Sequence, residues 1–273
     1  MAVTYSCAEL LCALGLSSKI AGIASVETEP KYLLSEYKEI LEKIPVIHCA
    51  DESTGAAIPI RRELEGLEPD LICANYYYRS YLDRCGETEL KTPLYVMEGS
   101  IPEKATLDSV YRDIFNLGKI FDVEDRACSL AQKIRGKISH LPTRPFKVAV
   151  PRVFVYDRGK KSPITSFADT LENSLITLAG GENVFGNRRG AYRPVTWTEV
   201  ADSSPDCILV HSYPGYMSAK EKIEWLKSVP EISTCPAIKE NQFLVLTLSE
   251  IFPGIQNAAA AEKMCAMFDP DAI

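Results

Sequence analysis

IFDVEDRACSLAQKIRGKISHL, residues 120–141, decides the fold. Ile120, Val123, Ala127, Leu130, Ile134, Ile138 and Leu141 recur at steps of three and four, the period of a helix with one apolar face. Asp122, Glu124 and Asp125 crowd its first turn, and Lys133, Arg135, Lys137 and His140 its second half, the order the helix dipole favours. Pro142 and Pro145 end it. The spacing predicts one helix of about six turns, on the order of 30 Å long at roughly 1.5 Å per residue. That is the width of a small domain.

Short apolar runs alternate with helical patterns on both sides of it. Upstream lie a helix over 6–16, a strand over 19–24, a short apolar run over 44–48 and a helix opened by Pro59. DLICAN (70–75) and PLYVM (93–97) read as strands, with helices over 76–85 and 105–117. Ser6 and Glu9 stand at the spacing of a capping box at the start of the first helix. Downstream, strands are expected over 146–156, 206–210 and 243–248. Helices are expected over 167–179, 196–201, 219–229 and 254–268, with Gly180-Gly181 closing the first of these. Strands alternating with helices imply βαβ units and mainly parallel sheets. The reading is two α/β lobes, 1–118 and 142–273, joined by the single long helix over 119–141. A ligand cleft lies between them.

Composition narrows the function. A net charge of −7 offers no basic footprint for nucleic acid. No apolar run approaches the roughly 20 residues needed to span a bilayer. The N-terminal stretch has no basic region or cleavage site of a signal peptide. The nine cysteines include no CxxC pair, and free buried thiols are expected. Histidines stand only at 48, 140 and 211, so no histidine-rich metal site is expected. No phosphate loop, dinucleotide fingerprint, nucleophile elbow or HExxH occurs, which leaves a two-lobed binder with no catalytic or metal residue assigned.

Ligands of open α/β sheets sit beyond the carboxyl ends of the strands. Those ends carry Tyr76 and Tyr77, Glu98, Tyr156 and Arg158, His211 and Tyr213, and Phe252. The loop 187–193 adds Arg189 and Tyr192. Arg158, Arg188, Arg189 and Arg193 can hold carboxylates or catecholates, and the rings can stack on a flat ligand. Arginines converging on the cleft favour an anionic ligand. An apolar aromatic slot favours a tetrapyrrole.

Four stretches carry a family resemblance: SCAELLCALGLSSKIAGIA, LEGLEPDLICAN, AGGENVFG with VTWTEVADSSPDCILV, and CPAIKENQFLVLTLSE. In order, they resemble the ABC-transporter substrate-binding proteins that carry iron–siderophores and vitamin B12. The resemblance implies a two-lobed fold on one backbone helix, with no covalent cofactor. It implies a ferric siderophore or similar chelate as ligand, with cobalamin or haem as the alternative. It also implies an ABC permease and, indirectly, its ATPase as partners. A monomer outside the cytoplasmic membrane is expected, periplasmic or a lipoprotein. Val3-Thr4 resembles the end of the family's first strand, so most of that strand and a leader are expected to precede this sequence. The family docks through one glutamate on each lobe. Here Glu63 and Glu199 stand one residue from those places, where Arg62 and Thr198 fall. A cytosolic α/β enzyme, or a sensor with a metal-cofactor cleft, stays open beside this reading.

Overall fold

The computed structural model describes residues 4–24, 33–47, 66–84, 90–141, 149–213 and 215–269. The first half holds α1 (Tyr5–Ala13), α2 (Ser35–Leu41), β1 (Ile72–Ala74), α3 (Tyr76–Arg84), β2 (Leu94–Val96) and α4 (Leu107–Ile120). Strands β1 and β2 are parallel, with Ile72 opposite Leu94, and a parallel bridge joins Ile23 to Val46. These strands are the apolar runs of the sequence, as hydrophobic runs bounded by turns should be. The expected helix opened by Pro59 lies outside the described residues, as do His48, Cys49 and Cys85.

The expected long helix is shorter. α5 runs Glu124–Ser139, 16 residues or about 24 Å at roughly 1.5 Å per residue. Phe121 to Val123 form a turn between α4 and α5, with Asp122 in the left-handed region at φ 55°. Ile120, read as part of the helix stripe, ends α4 and is 50% exposed. Ala127, Ala131 and Ile134 are the stripe that is buried. α5 lies against α4, where Gly118 lets the two backbones approach Ala127 closely.

The second half continues with β3 (Arg152–Tyr156), β4 (Ile164–Ser166), α6 (Leu171–Leu178), β5 (Glu182–Asn183), β6 (Tyr192–Pro194), α7 (Trp197–Ser203), β7 (Cys207–Ser212), α8 (Ala219–Lys227), α9 (Pro236–Lys239), β8 (Phe243–Thr247), α10 (Leu248–Ile251) and α11 (Asn257–Phe268). A parallel sheet runs in the order β5-β3-β7-β8. β4 and β6 form an antiparallel pair, with Ser166 opposite Tyr192, so the end of the loop read over 187–193 is a strand. Strand β7 is buried along its whole length, as a strand covered by helices on both faces should be.

The two halves share one hydrophobic cluster. It includes Tyr5, Leu10 and Ile114 from before α5, and Val153, Leu209 and Met264 from after it. The C-terminal segment turns back on the first half: α10 contacts α1, and α11 contacts α5. Glu9 does not cap α1. Thr4 does, accepting from the Cys7 N–H, while buried Glu9 accepts from Leu34 N at 2.8 Å and Gln256 Nε2 at 2.6 Å. No helix among the described residues is long and apolar enough to cross a membrane.

Candidate functional site

The exit of β1 is built by capping. Asn75 Oδ1 accepts from the Tyr78 N–H at 2.9 Å and opens α3. The Tyr76 N–H is held by Ser100 Oγ at 2.7 Å. Ser100 closes a 3₁₀ turn over Glu98–Ser100, which Asp113 fixes from α4. The Asp113 carboxylate accepts from Tyr95 OH, Glu98 N and Gly99 N at 2.7, 2.7 and 2.9 Å. Burial pushes Asp113 up to about 6 even against these three donors. Gly99 packs tightly there: a Cβ would sit 3.0 Å from Val110 and 3.1 Å from Pro253. Glu98 turns toward Arg112, which donates to both of its oxygens at 3.1 and 3.2 Å.

Across from this exit, β3 and β7 deliver a buried ionic cluster. His211, 1% exposed, has Nε2 at 2.9 Å from Glu172 Oε1 and Nδ1 at 3.5 Å from Asp157 Oδ1. Burial alone would push His211 down. The charge of Glu172 and hydrogen bonds to both carboxylates outweigh it and raise His211 to about 9. Asp157 moves the other way: burial would raise it, but His211 and Arg158 hold it below its usual range. Fully buried Lys222 from α8 donates to the carbonyls of Asp157 and His211 at 2.7 Å each, tying the ends of β3 and β7 together. Its ammonium lies 4.2 Å from the Tyr213 ring centroid, and burial pushes it down to about 8. The Tyr213 hydroxyl is buried near Asp157 and Arg158 without a hydrogen bond of good geometry.

An aromatic contact joins the two exits. Tyr77 on α3 stacks on Phe252 at 5.7 Å and 25°, and meets Tyr192 of β6 at 5.9 Å. Tyr76 lies 6.1 Å from Tyr77, edge-on. Tyr192 in turn packs edge-on against His211 at 5.9 Å, and its hydroxyl donates to Glu172 Oε2 at 3.2 Å. The structure thus brings Tyr76, Tyr77, Tyr192, His211 and Phe252 together, with Tyr213 and Arg158 at the end of the ionic cluster.

The remaining expected residues fall elsewhere. Tyr156 is 0% exposed and stacks on Trp225 at 6.1 Å in a separate hydrophobic cluster, so its ring belongs to the core rather than to the cleft. Arg189 is exposed and pairs with Glu103 at 3.2 Å and Asp169 at 3.3 Å. Arg158 pairs with Asp157 at 3.1 Å, and Arg188 with Glu199 at 2.8 Å. Arg193 is exposed on β6, without an ion pair among the described residues. Glu199 is the N3 residue of the α7 capping box: its Oε2 accepts from Thr196 N and Oγ1, and its other oxygen takes Arg188. These partners, the backbone hydrogen bond first, hold Glu199 down to about 2. Glu63 lies outside the described residues.

Two site residues escaped the sequence reading, and both had a signal. Glu172 stands beside Leu171 and one turn before Leu175 and Ile176 on α6, so helical spacing puts a carboxylate on a buried face. Lys222 stands four residues before Leu226 on α8 in the same way. A charge on an apolar helix face needs a buried partner, and here each has one.

A family model described as periplasmic binding protein matches residues 1–248. The vitamin B12-binding protein of Yersinia pestis is 25% identical over 212 residues, which cover 77% of this chain and 68% of that protein. Among solved structures, a periplasmic binding protein from Veillonella parvula matches at a TM-score of 0.81 and 22% identity, covering 100% of this chain and 92% of that one. A protein of an ABC-type Fe3+-hydroxamate transport system from Saccharomonospora viridis matches at 0.80 and 18%, covering 98% and 91%. These likenesses give the fold: two α/β lobes linked by a helix.

Proposed function

Because the chain belongs to the periplasmic binding protein family, we propose that it is the extracytoplasmic receptor of an ABC importer whose ligand is a planar metal macrocycle, a corrin or a porphyrin. The chain is a binding protein and not an enzyme. One observation carries the choice of ligand. The surface where the two halves meet is aromatic, through Tyr76, Tyr77, Tyr192 and Phe252, while three of the four candidate arginines are already neutralised by carboxylates. Stacking faces suit a large flat ligand. Arginines held by Asp157, Glu199 and Glu103 are poor anchors for an anionic catecholate, because the ligand must first displace a carboxylate from each. The B12-binding relative agrees with this choice.

A second reading is a ferric hydroxamate complex. It is favoured by the Saccharomonospora likeness, and such a chelate needs no cationic anchor when it carries no net charge. Hand-over of the ligand to a membrane permease belongs to the same proposal. Both oxygens of Glu199 are occupied at home, so a permease arginine docking there would compete with Arg188.

The test is a titration of intrinsic fluorescence, from Trp197, Trp225 and the tyrosines, against cobalamin, haem, a ferric hydroxamate and a ferric catecholate. Quenching by a corrin or porphyrin at micromolar concentration or below is expected. Saturable binding of the catecholate, with no response to either macrocycle, would overturn the choice.

A further inference from the structure

Lys222 stands where a lysine is least expected. It is fully buried as the fourth residue of α8, close to the positive end of the helix dipole. No carboxylate pairs with it among the described residues, because that of Asp157 is taken by His211 and Arg158. The ammonium is held instead by two main-chain carbonyls, of Asp157 and His211, and by the faces of two rings, Tyr213 at 4.2 Å and Tyr216 at 5.3 Å. An apolar side chain of that length would fill the same space without burying a charge. Filling space is therefore not what the ammonium is for.

The topology gives it a task. The chain leaves β3 for β5 on one side of the sheet, then returns past β3 to β7 on the other. An open α/β sheet takes its ligand at such a reversal, outside the carboxyl ends of the strands. β3 and β7 pair as far as Tyr156 and Val210 and then part. β3 turns back toward β4, with Asp157 N donating to Ile164 O at 3.1 Å, while β7 stays beside β8 as far as Ser212. The two carbonyls that Lys222 holds are the first beyond this fork. Tyr216 closes the unit from outside: its hydroxyl accepts from Gly159 N at 3.4 Å, and it is 38% exposed.

We propose that Lys222 is a positioning residue for ligand capture: its ammonium locks the fork between β3 and β7, and so sets Arg158, Tyr213 and Tyr216 as one surface toward the ligand. The proposal rests on the receptor reading above, and it holds for a macrocycle and for a hydroxamate complex alike. Without the tie, the segments that follow β3 and β7 move independently. Only the fraction of molecules with the bound spacing is then competent, and the observed affinity falls by that fraction.

Lys222→Met and Lys222→Ala test this, read by fluorescence quenching with whichever of cobalamin, haem and a ferric hydroxamate the parent binds. Thermal melting first establishes which variants are folded. If the untied fork holds the bound spacing about a tenth of the time, Lys222→Met should bind about 10-fold more weakly. Propylammonium, which replaces the atoms missing from Lys222→Ala, should restore its affinity, and propanol should not. Parental affinity in folded Lys222→Met, or rescue of Lys222→Ala by propanol as well as by the amine, overturns the positioning role while the receptor reading stands. Where neither variant folds, Tyr216→Ala, at an exposed ring, takes their place: weaker binding is expected, and parental affinity overturns the role. A folded parent that binds none of the three probes overturns the receptor reading and the positioning role with it.

Discussion

His211 and Glu172 meet through Nε2 and Oε1 at 2.9 Å, and neither side chain is open to water. A second carboxylate, Asp157, lies on the far side of the imidazole. The imidazole is the cation that these two buried carboxylates share. Removing that cation leaves an uncompensated pair, the situation in which breaking a buried ion pair is most costly.

His211→Gln should therefore destabilise the chain by about 3–5 kcal/mol near pH 6, read from urea unfolding. The pH dependence has a definite sign. Folding raises His211 from its ordinary 6.5 to about 9. Its stabilisation is complete below about pH 6.5 and is lost as pH rises through about 9. Lys222 opposes it over part of this window. Folding lowers Lys222 from 10.5 to about 8, so its contribution grows as pH rises from 8 towards 10.5. Comparing parent with variant cancels most of the Lys222 effect. The gap between the two should shrink steadily from pH 6 to pH 10. A gap that does not change with pH would mean that His211 is neutral in the folded chain.

Gly118 makes a second prediction, at the helix pair. In an exposed helix, glycine to alanine is stabilising by roughly 1 kcal/mol. Here a Cβ on residue 118 would come within 2.6 Å of the Ala127 Cβ, across the contact between α4 and α5. Gly118→Ala should then be net destabilising, because overpacking costs typically about 1–3 kcal/mol. Gly118→Ala with Ala127→Gly should recover much of the loss. Thermal unfolding of the single and double variants decides it. A single variant that melts above the parent would show that the helices do not approach this closely.

The same helix pair shows what sequence reading can reach. Parallel α/β architecture was legible because short apolar runs such as 206–210 alternate with helical patterns, and that run became the strand Cys207–Ser212. The break at Asp122 was blurred, because Ile120 and Val123 match the helical stripe by spacing alone. The acidic residues Glu124 and Asp125 mark the true first turn, but the pattern cannot show that Ile120 points to solvent. At the site, strand ends were legible as places and not as directions. β3 is buried on both faces, so nothing in its sequence says that Tyr156 points into the core while Asp157, its neighbour, meets His211. The partner of each charge was beyond reach for a different reason. Arg189 and Glu103 are 86 residues apart, by the difference of their numbers, and meet only once the lobes are assembled.

Arg189 gives the last prediction, and it reverses what its charge suggests. A desolvated arginine on an anionic ligand would be worth about 1–3 kcal/mol. The Arg189 side chain is 73% exposed and already shared between Glu103 and Asp169. Exposed ion pairs contribute roughly 0–1 kcal/mol, and a macrocycle held on the aromatic surface does not need this charge. Arg189→Ala should thus leave cobalamin or haem affinity within about threefold of the parent, with a small loss of stability that disappears at high salt. Isothermal titration measures the affinity, and thermal unfolding at low and high ionic strength measures the stability. A loss of ten-fold or more for the macrocycle, with stability unchanged, would place Arg189 on the ligand and return weight to an anionic chelate. The prediction separates the two ligand classes because, among the described residues, Arg189 is the candidate arginine whose partners come from both halves of the chain.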